Sequence, residues 1–309
     1  MDFNSELHVN QSFINLELLA KQVVEGFISG MHKSPFHGFS AEFAEHKIYN
    51  SGESTRHIDW KLFAKTDKLF TKRFDEETNL RCHFILDNSS SMHYPEMKSQ
   101  SVDHLNKVGF SALAIASLMH ILKRQRDAVG MSIYSDAYDY YAPEKGSDRH
   151  HRMLLNKLDE TIKVVPKARS TKTYHYLHQI AENIHRRSLV VLFTDMFASH
   201  LDEGALINAL RHLKHNKHDV VLFHVFDAEK EQRFEFDNTP RRFVDVETGD
   251  SVNLYADNIK ENYKIAVSQY FDTLKVKCGQ YGITYVNADI NQGFSKILLQ
   301  FMIKRQQFV

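Results

Sequence analysis

CHFILDNSSSM, residues 82–92, decides how the rest of the chain is read. It opens as a short apolar run, CHFILD (82–87), and closes on an acid followed by a serine turn. A run of that length without polar alternation is the pattern of a strand covered on both faces, as in a parallel sheet. Downstream, residues 99–124 carry apolar positions on most faces (Val102, Leu105, Val108, Phe110, Leu113, Ile115, Leu118, Met119, Leu122). That predicts a long helix lying against the sheet and itself covered.

The texture then repeats. Strands are expected at 127–134, near 138–142 as a short edge strand, and at 188–195, 219–227 and 283–289. Helices are expected at 148–160, 173–186, 203–214, 257–278 and 293–304. FEFDNTPRRFVDVETGDSVNLYA reads as a polar hairpin insertion near 233–256. Strands alternating with helices of ten to twenty residues predict an α/β protein with a doubly wound, mostly parallel, Rossmann-like sheet. Upstream, residues 12–31 have helical apolar spacing, and 32–80 break into short aromatic and charged pieces that suggest strands and turns, Ser51-Gly52 marking one. The chain therefore divides into an N-terminal helix with an extended, β-rich arm (1–80) and a sheet domain (81–309).

Composition narrows the class. Of 309 residues, 42% are hydrophobic and 25% charged, the profile of a chain with a real core. The 39 basic and 39 acidic residues cancel, so no bulk field draws the molecule to nucleic acid or an anionic membrane. The N-terminus has no basic start followed by an apolar core, and the longest apolar run, Val108–Met119, is too short for a membrane span. A cytoplasmic location follows as the expectation. In a reducing cytosol, Cys82 and Cys278 are expected to pack as small hydrophobes rather than to bridge.

In a doubly wound sheet, ligands bind outside the carboxyl ends of the strands. Asp87-Asn88-Ser89-Ser90-Ser91 there aims one carboxylate and two hydroxyls to one side, hard oxygens suited to Mg²⁺ or Mn²⁺. The same serines would also serve as helix caps. Two features add to the metal reading: SLVVLFTD is a second buried strand ending in an acid, Asp195, and Ser170-Thr171-Lys172-Thr173 precedes a helix.

Together these segments resemble the metal-ion-dependent adhesion site of the von Willebrand factor A family, with its D-x-S-x-S strand end, threonine loop and later aspartate. The resemblance covers about residues 80–305. It implies that Asp87, Ser89, Ser91, Thr171 and Asp195 surround one Mg²⁺ (or Mn²⁺ or Ca²⁺), with the two serines and the threonine bound directly and at least one aspartate through water. Thr171 is preferred to Thr173 because the family's metal threonine is the first of its T-x-T run. An acidic side chain of a protein partner would complete the coordination, which implies binding rather than catalysis. His93, directly after the serine turn, is expected to line the partner surface.

The arm adds a second resemblance. Glu42-Phe43, Tyr49-x-x-Gly52-Glu53-x-x-Arg56-x-Ile58-Asp59-Trp60, Ala64-Lys65 and Phe74-x-x-Glu77 are similar to the signature of a bacterial family known as domain of unknown function number fifty-eight. Glu53 stands where that family usually has Asp, and Lys65 where it usually has Arg. The likeness implies a partner of MoxR-type AAA+ ATPases, with a chaperone-like role in assembling or activating other complexes. Read from the residues alone, Glu42, Arg56, Asp59 and Glu77 are charge pairs knitting the arm together, and Trp60 packs among them.

Other chemistries leave weaker traces. His175-x-x-His178 and His212-x-x-His215 have helical ligand spacing for zinc but no third ligand nearby in sequence. Asp87 also fits the nucleophile of Mg²⁺-dependent aspartate-based phosphotransferases, but Ser89 stands where their second aspartate acts as general acid. A scaffold whose site has lost its metal is the other alternative.

Overall fold

A computed structural model describes residues 16–32, 46–48, 60–66, 69–72, 80–97, 104–135, 138–164, 173–196, 203–245 and 250–308. Two compact units are distinguished: Ile28–Asn79, and Met1–Phe27 together with Leu80–Val309. In the smaller unit, β1 (His46–Ile48) pairs antiparallel with β2 (Phe70–Lys72), and α2 spans Trp60–Thr66. Glu42, Arg56, Asp59 and Glu77 lie outside the described residues, as does the side chain of Trp60. The helix expected at 12–31 is α1 (Leu16–His32), which buries Leu16, Leu19, Ala20, Val23, Val24 and Phe27 along one stripe.

The larger unit is built on β3 (Arg81–Asp87), α3 (Lys107–Arg124), β4 (Ala128–Tyr134), β5 (Tyr138–Lys145), α4 (Asp148–Lys163), α5 (Thr173–Asn183), β6 (Leu189–Thr194), α6 (Glu203–His215) and β7 (Asp219–Phe226). A hairpin of β8 (Pro240–Val244) and β9 (Ser251–Tyr255) follows, then α7 (Ala256–Gln280), β10 (Thr284–Asp289) and α8 (Ser295–Phe308). The central sheet has six strands in the order β10-β7-β6-β3-β4-β5, parallel except for β5 at the edge. This is the expected Rossmann-like, doubly wound sheet. Every residue of CHFILD is buried, which is why that strand shows no polar alternation.

The two faces are covered separately. Ile85, Val190, Leu192, Val220 and Leu222 pack with Leu177 and Ile180 of α5, Leu206 and Leu210 of α6, and Leu274 of α7. The other face carries Phe84, Leu86, Met131 and Phe193 and lies under α3. Each such fully buried side chain contributes about 1.5–3 kcal/mol relative to exposure. Cys82 and Cys278 are both buried free thiols.

One helix starts later than its apolar pattern suggests. α3 begins at Lys107 rather than near 99, because Asn106 adopts an extended conformation and its side chain accepts from the Gly109 N–H at 2.9 Å. Residues 98–103 lie outside the described ones. A one-turn π-helix at Ala228–Gln232, between β7 and the hairpin, has no counterpart in the pattern of the sequence.

Gly130 on β4 marks a close approach. A Cβ there would lie 2.6 Å from His83 Nδ1, 2.9 Å from the Ala142 carbonyl oxygen and 3.0 Å from the Glu144 nitrogen. Two of these three are backbone atoms of β5 and cannot swing away. Gly130→Ala is expected to cost about 1–3 kcal/mol, as overpacking of a tight core does, read as a lower midpoint of urea denaturation.

Candidate functional site

β3 and β6 lie side by side, yet the chain visits β4 and β5 on the far side of β3 between them. Their carboxyl ends therefore form the switch point of strand order, where a crevice opens in sheets of this type. Asp87 ends β3 and is 2% exposed. Its Oδ1 accepts from the Ser89 N–H at 2.9 Å, and its Oδ2 accepts from Thr194 Oγ1, the last residue of β6, at 2.6 Å. Ser90–His93 then form one turn of 3₁₀ helix, which brings Ser89 Oγ and Ser91 Oγ to 3.0 Å from each other.

The electrostatics favour a cation. Burial pushes the Asp87 carboxyl up to about 6, and the nearby Asp195 carboxylate adds to the rise, against the hydrogen bonds from Thr194 and Ser89. The Tyr134 hydroxyl is likewise raised by burial and by the Asp87 charge. Two buried carboxylates and two buried hydroxyls at neighbouring strand ends are a set of hard oxygens. That chemistry fits a small divalent ion.

Asp195 carries a contact that sequence reasoning missed. Its Oδ2 accepts from Lys107 Nζ at 2.9 Å, and the same ammonium donates to Glu231 Oε1 at 2.6 Å. Lys107 is fully buried. Burial alone would lower its pKa, but Asp195 and Glu231 outweigh that and hold the ammonium charged. Glu231 sits in the π-helical turn, its Oε2 accepting from the Asp227 N–H at 2.8 Å. The Asp195 carbonyl accepts from His224 Nε2 at 2.9 Å, and the other ring nitrogen meets the Tyr285 hydroxyl at 2.6 Å. A lysine opening an otherwise apolar helix was the one sequence signal for Lys107. Glu231, 124 positions away, gave none.

Of the expected residues, Asp87, Ser89, Ser91 and Asp195 share this edge of the sheet. Thr171 lies outside the described residues, and so does the side chain of Thr173 at the start of α5. His93 is 6% exposed, turned inward with Nε2 2.9 Å from Asn88 Oδ1, rather than displayed at the surface.

Residues 45–270, well over half of the chain, match the family described as protein of unknown function DUF58. The chain belongs to the DUF58 family. Uncharacterized proteins of Mycobacterium tuberculosis and Mycobacterium bovis are 21% identical to this DUF58 chain over 214 residues, which is 69% of it and 63% of each relative. The match thus spans less than two thirds of the relatives' length. Among solved structures, the conserved hypothetical protein BatB from Bacteroides thetaiotaomicron is similar at 14% identity and a TM-score of 0.46, covering 74% of this chain and 98% of that one. An uncharacterized membrane spanning protein from Vibrio fischeri is similar at 18% identity and a TM-score of 0.24, with the same coverage. The cytoplasmic placement expected above does not stand, because the lack of an apolar span in a sequence of this kind fixes no compartment. Among the described residues, no helix is long and apolar enough to cross a membrane.

Two other polar groups of the DUF58 chain are resolved by the geometry. His178 and His212, from the two motifs weighed for zinc, meet across α5 and α6 with Nδ1 atoms 2.9 Å apart. Among the described residues no group of three or more His, Cys, Asp or Glu side chains is placed to hold a metal ion. Ser132, His83 and Glu144 form a chain of hydrogen bonds, with His83 Nε2 2.8 Å from Ser132 Oγ and Nδ1 2.7 Å from Glu144 Oε1. Ser132 and His83 are wholly buried, so the chain ties β4, β3 and β5 together rather than meeting a substrate.

The buried histidines make this DUF58 chain acid-sensitive. Burial lowers both His93 and His224 to about 4. A folded pKa below the unfolded one gives a histidine stability that is complete above about pH 6.5 and is lost towards pH 4. Asp87, raised to about 6, works in the opposite sense, since its penalty disappears between pH 6 and 3.8. Each tenfold change in proton affinity is worth about 1.4 kcal/mol, so two histidines outweigh one aspartate. Urea denaturation is expected to show a loss of roughly 2–3 kcal/mol between pH 7 and pH 5.

Proposed function

We propose that the DUF58 chain is a non-enzymatic protein-interaction module with a von Willebrand factor A-like sheet domain and a metal-ion-dependent adhesion site. Asp87, Ser89 and Ser91 would hold one Mg²⁺, with Asp195 and Thr171 completing the set. The observation that carries this reading is Asp87: a buried carboxylate at the switch point, its charge opposed by burial and by Asp195, with two serine hydroxyls alongside. When bound, the ion supplies a coordination position for an acidic side chain of a partner. The chain's own residues do the rest: Thr194 and the Ser89 amide fix the Asp87 carboxylate, and the 3₁₀ turn presents the serines.

The partner we assign is a MoxR-type AAA+ ATPase or a client that such an ATPase remodels. Support comes from the resemblance of the arm to the family's signature. Lys107 favours a second reading, a metal-free scaffold in which the ammonium takes the place of a metal ion beside Asp195.

Calorimetric titration of Mg²⁺ and Mn²⁺ separates the two. The expected result is saturable binding by the wild type that disappears in Asp87→Ala. Absence of binding by the wild type, with or without an acidic peptide present, sinks the adhesion-site reading and leaves the scaffold.

A further inference from the structure

A buried ammonium one carboxylate away from a proposed cation site needs a reason. Lys107 opens α3, where the positive end of the helix dipole disfavours a cation, and it is removed from water entirely. An apolar side chain in such a position, with apolar partners, commonly serves stability as well or better. What lysine offers instead is a compact charge with three donors on a flexible stem.

We propose that Lys107 is a tethered counter-ion that competes with the divalent cation for Asp195, Glu231 being its second berth. This rests on the metal-site reading above. The ammonium is shared between Asp195 Oδ2 at 2.9 Å and Glu231 Oε1 at 2.6 Å. Glu231 is the firmly held end: its other carboxylate oxygen accepts from the Asp227 N–H at 2.8 Å, and its carbonyl accepts from the Tyr263 hydroxyl at 2.9 Å. Asp195 is the end next to Asp87, since β3 and β6 are neighbours and Leu86 pairs with Phe193 just before the two acids.

A divalent ion between Asp87, Ser89 and Ser91 attracts Asp195 and repels the ammonium, and among side chains this buried both effects are stronger than at the surface. Loading therefore moves the Lys107 interaction from Asp195 towards Glu231. With the site unloaded, Lys107 neutralises Asp195 and keeps the edge from carrying two bare carboxylates. The consequence is a site whose ion affinity is set low by a built-in rival, so that the ion is held well only when a partner's carboxylate adds its charge.

The test is calorimetric titration of Mn²⁺ and Mg²⁺ into the whole chain as wild type, Lys107→Met and Glu231→Gln. Lys107→Met removes the rival and is expected to tighten binding at least tenfold. Glu231→Gln removes the second berth, leaves Lys107 on Asp195, and is expected to weaken binding several-fold. If Lys107→Met does not fold, Glu231→Gln decides by itself. Equal affinities in wild type and variants overturn the counter-ion role while the metal site stands. No binding by wild type or either variant overturns both.

Discussion

Asp87→Asn is expected to be more stable than the wild type in metal-free buffer at pH 7, and to gain nothing from added Mg²⁺. Asp87 sits buried with its carboxyl raised from 3.8 to about 6. With each tenfold change in proton affinity worth about 1.4 kcal/mol, holding it ionised at neutral pH costs the folded state on the order of 3 kcal/mol. Asparagine keeps the shape, accepts from the Ser89 amide and offers a donor towards Thr194. The sign of the pH dependence is fixed by the raised pKa: the advantage of the variant is full above about pH 6 and fades towards pH 4 as the wild-type carboxyl takes up its proton. Paired urea denaturations at pH 7 and pH 4.5, with and without Mg²⁺, read it directly. A variant less stable than the wild type at pH 7 without metal would mean that Asp87 is satisfied by its hydrogen bonds and has no need of a cation.

Lys107→Ala is expected to lose about 3–5 kcal/mol, because it strands the buried Asp195 and the part-buried Glu231 carboxylates without their shared countercharge. Asp195 is 2% exposed, and the Glu231 side chain 15%. Burial already raises the Glu231 carboxyl, and Lys107 is the main influence that opposes the rise. Adding Glu231→Gln to Lys107→Ala removes one of the stranded charges and is expected to restore part of the loss, so that the pair is markedly non-additive in a double-mutant cycle. Additive losses would show that Lys107 and Glu231 do not act on each other. Such a result would also remove the ground for a shared ammonium.

The strands and helices of the sheet domain were legible because burial on both faces leaves unbroken apolar runs. CHFILD and SLVVLFTD could hardly be read as anything else. Their ending acids, Asp87 and Asp195, were legible for the same reason, since a charge that stops an apolar run stands at a strand end. What could not be read was strand order: nothing in the sequence says that β6 returns to the side of β3, and only that neighbourhood brings Thr194 to Asp87. The late start of α3 was hidden because Val102 and Leu105 continue the helical spacing upstream of the Asn106 cap. Lys107 and Glu231 were missed because their pairing spans 124 positions, and each is ordinary among its own neighbours. His93 follows the serines in sequence, but its imidazole is buried, with Nε2 against Asn88 Oδ1.

The most direct measurement of the central claim is the anomalous difference map of a crystal of the whole chain soaked in Mn²⁺. The expected result is one peak at the switch point of the sheet, bonded to Asp87, Ser89 and Ser91. A map with no peak there, at Mn²⁺ concentrations that label other carboxylates on the surface, would contradict a metal-ion-dependent site in this protein.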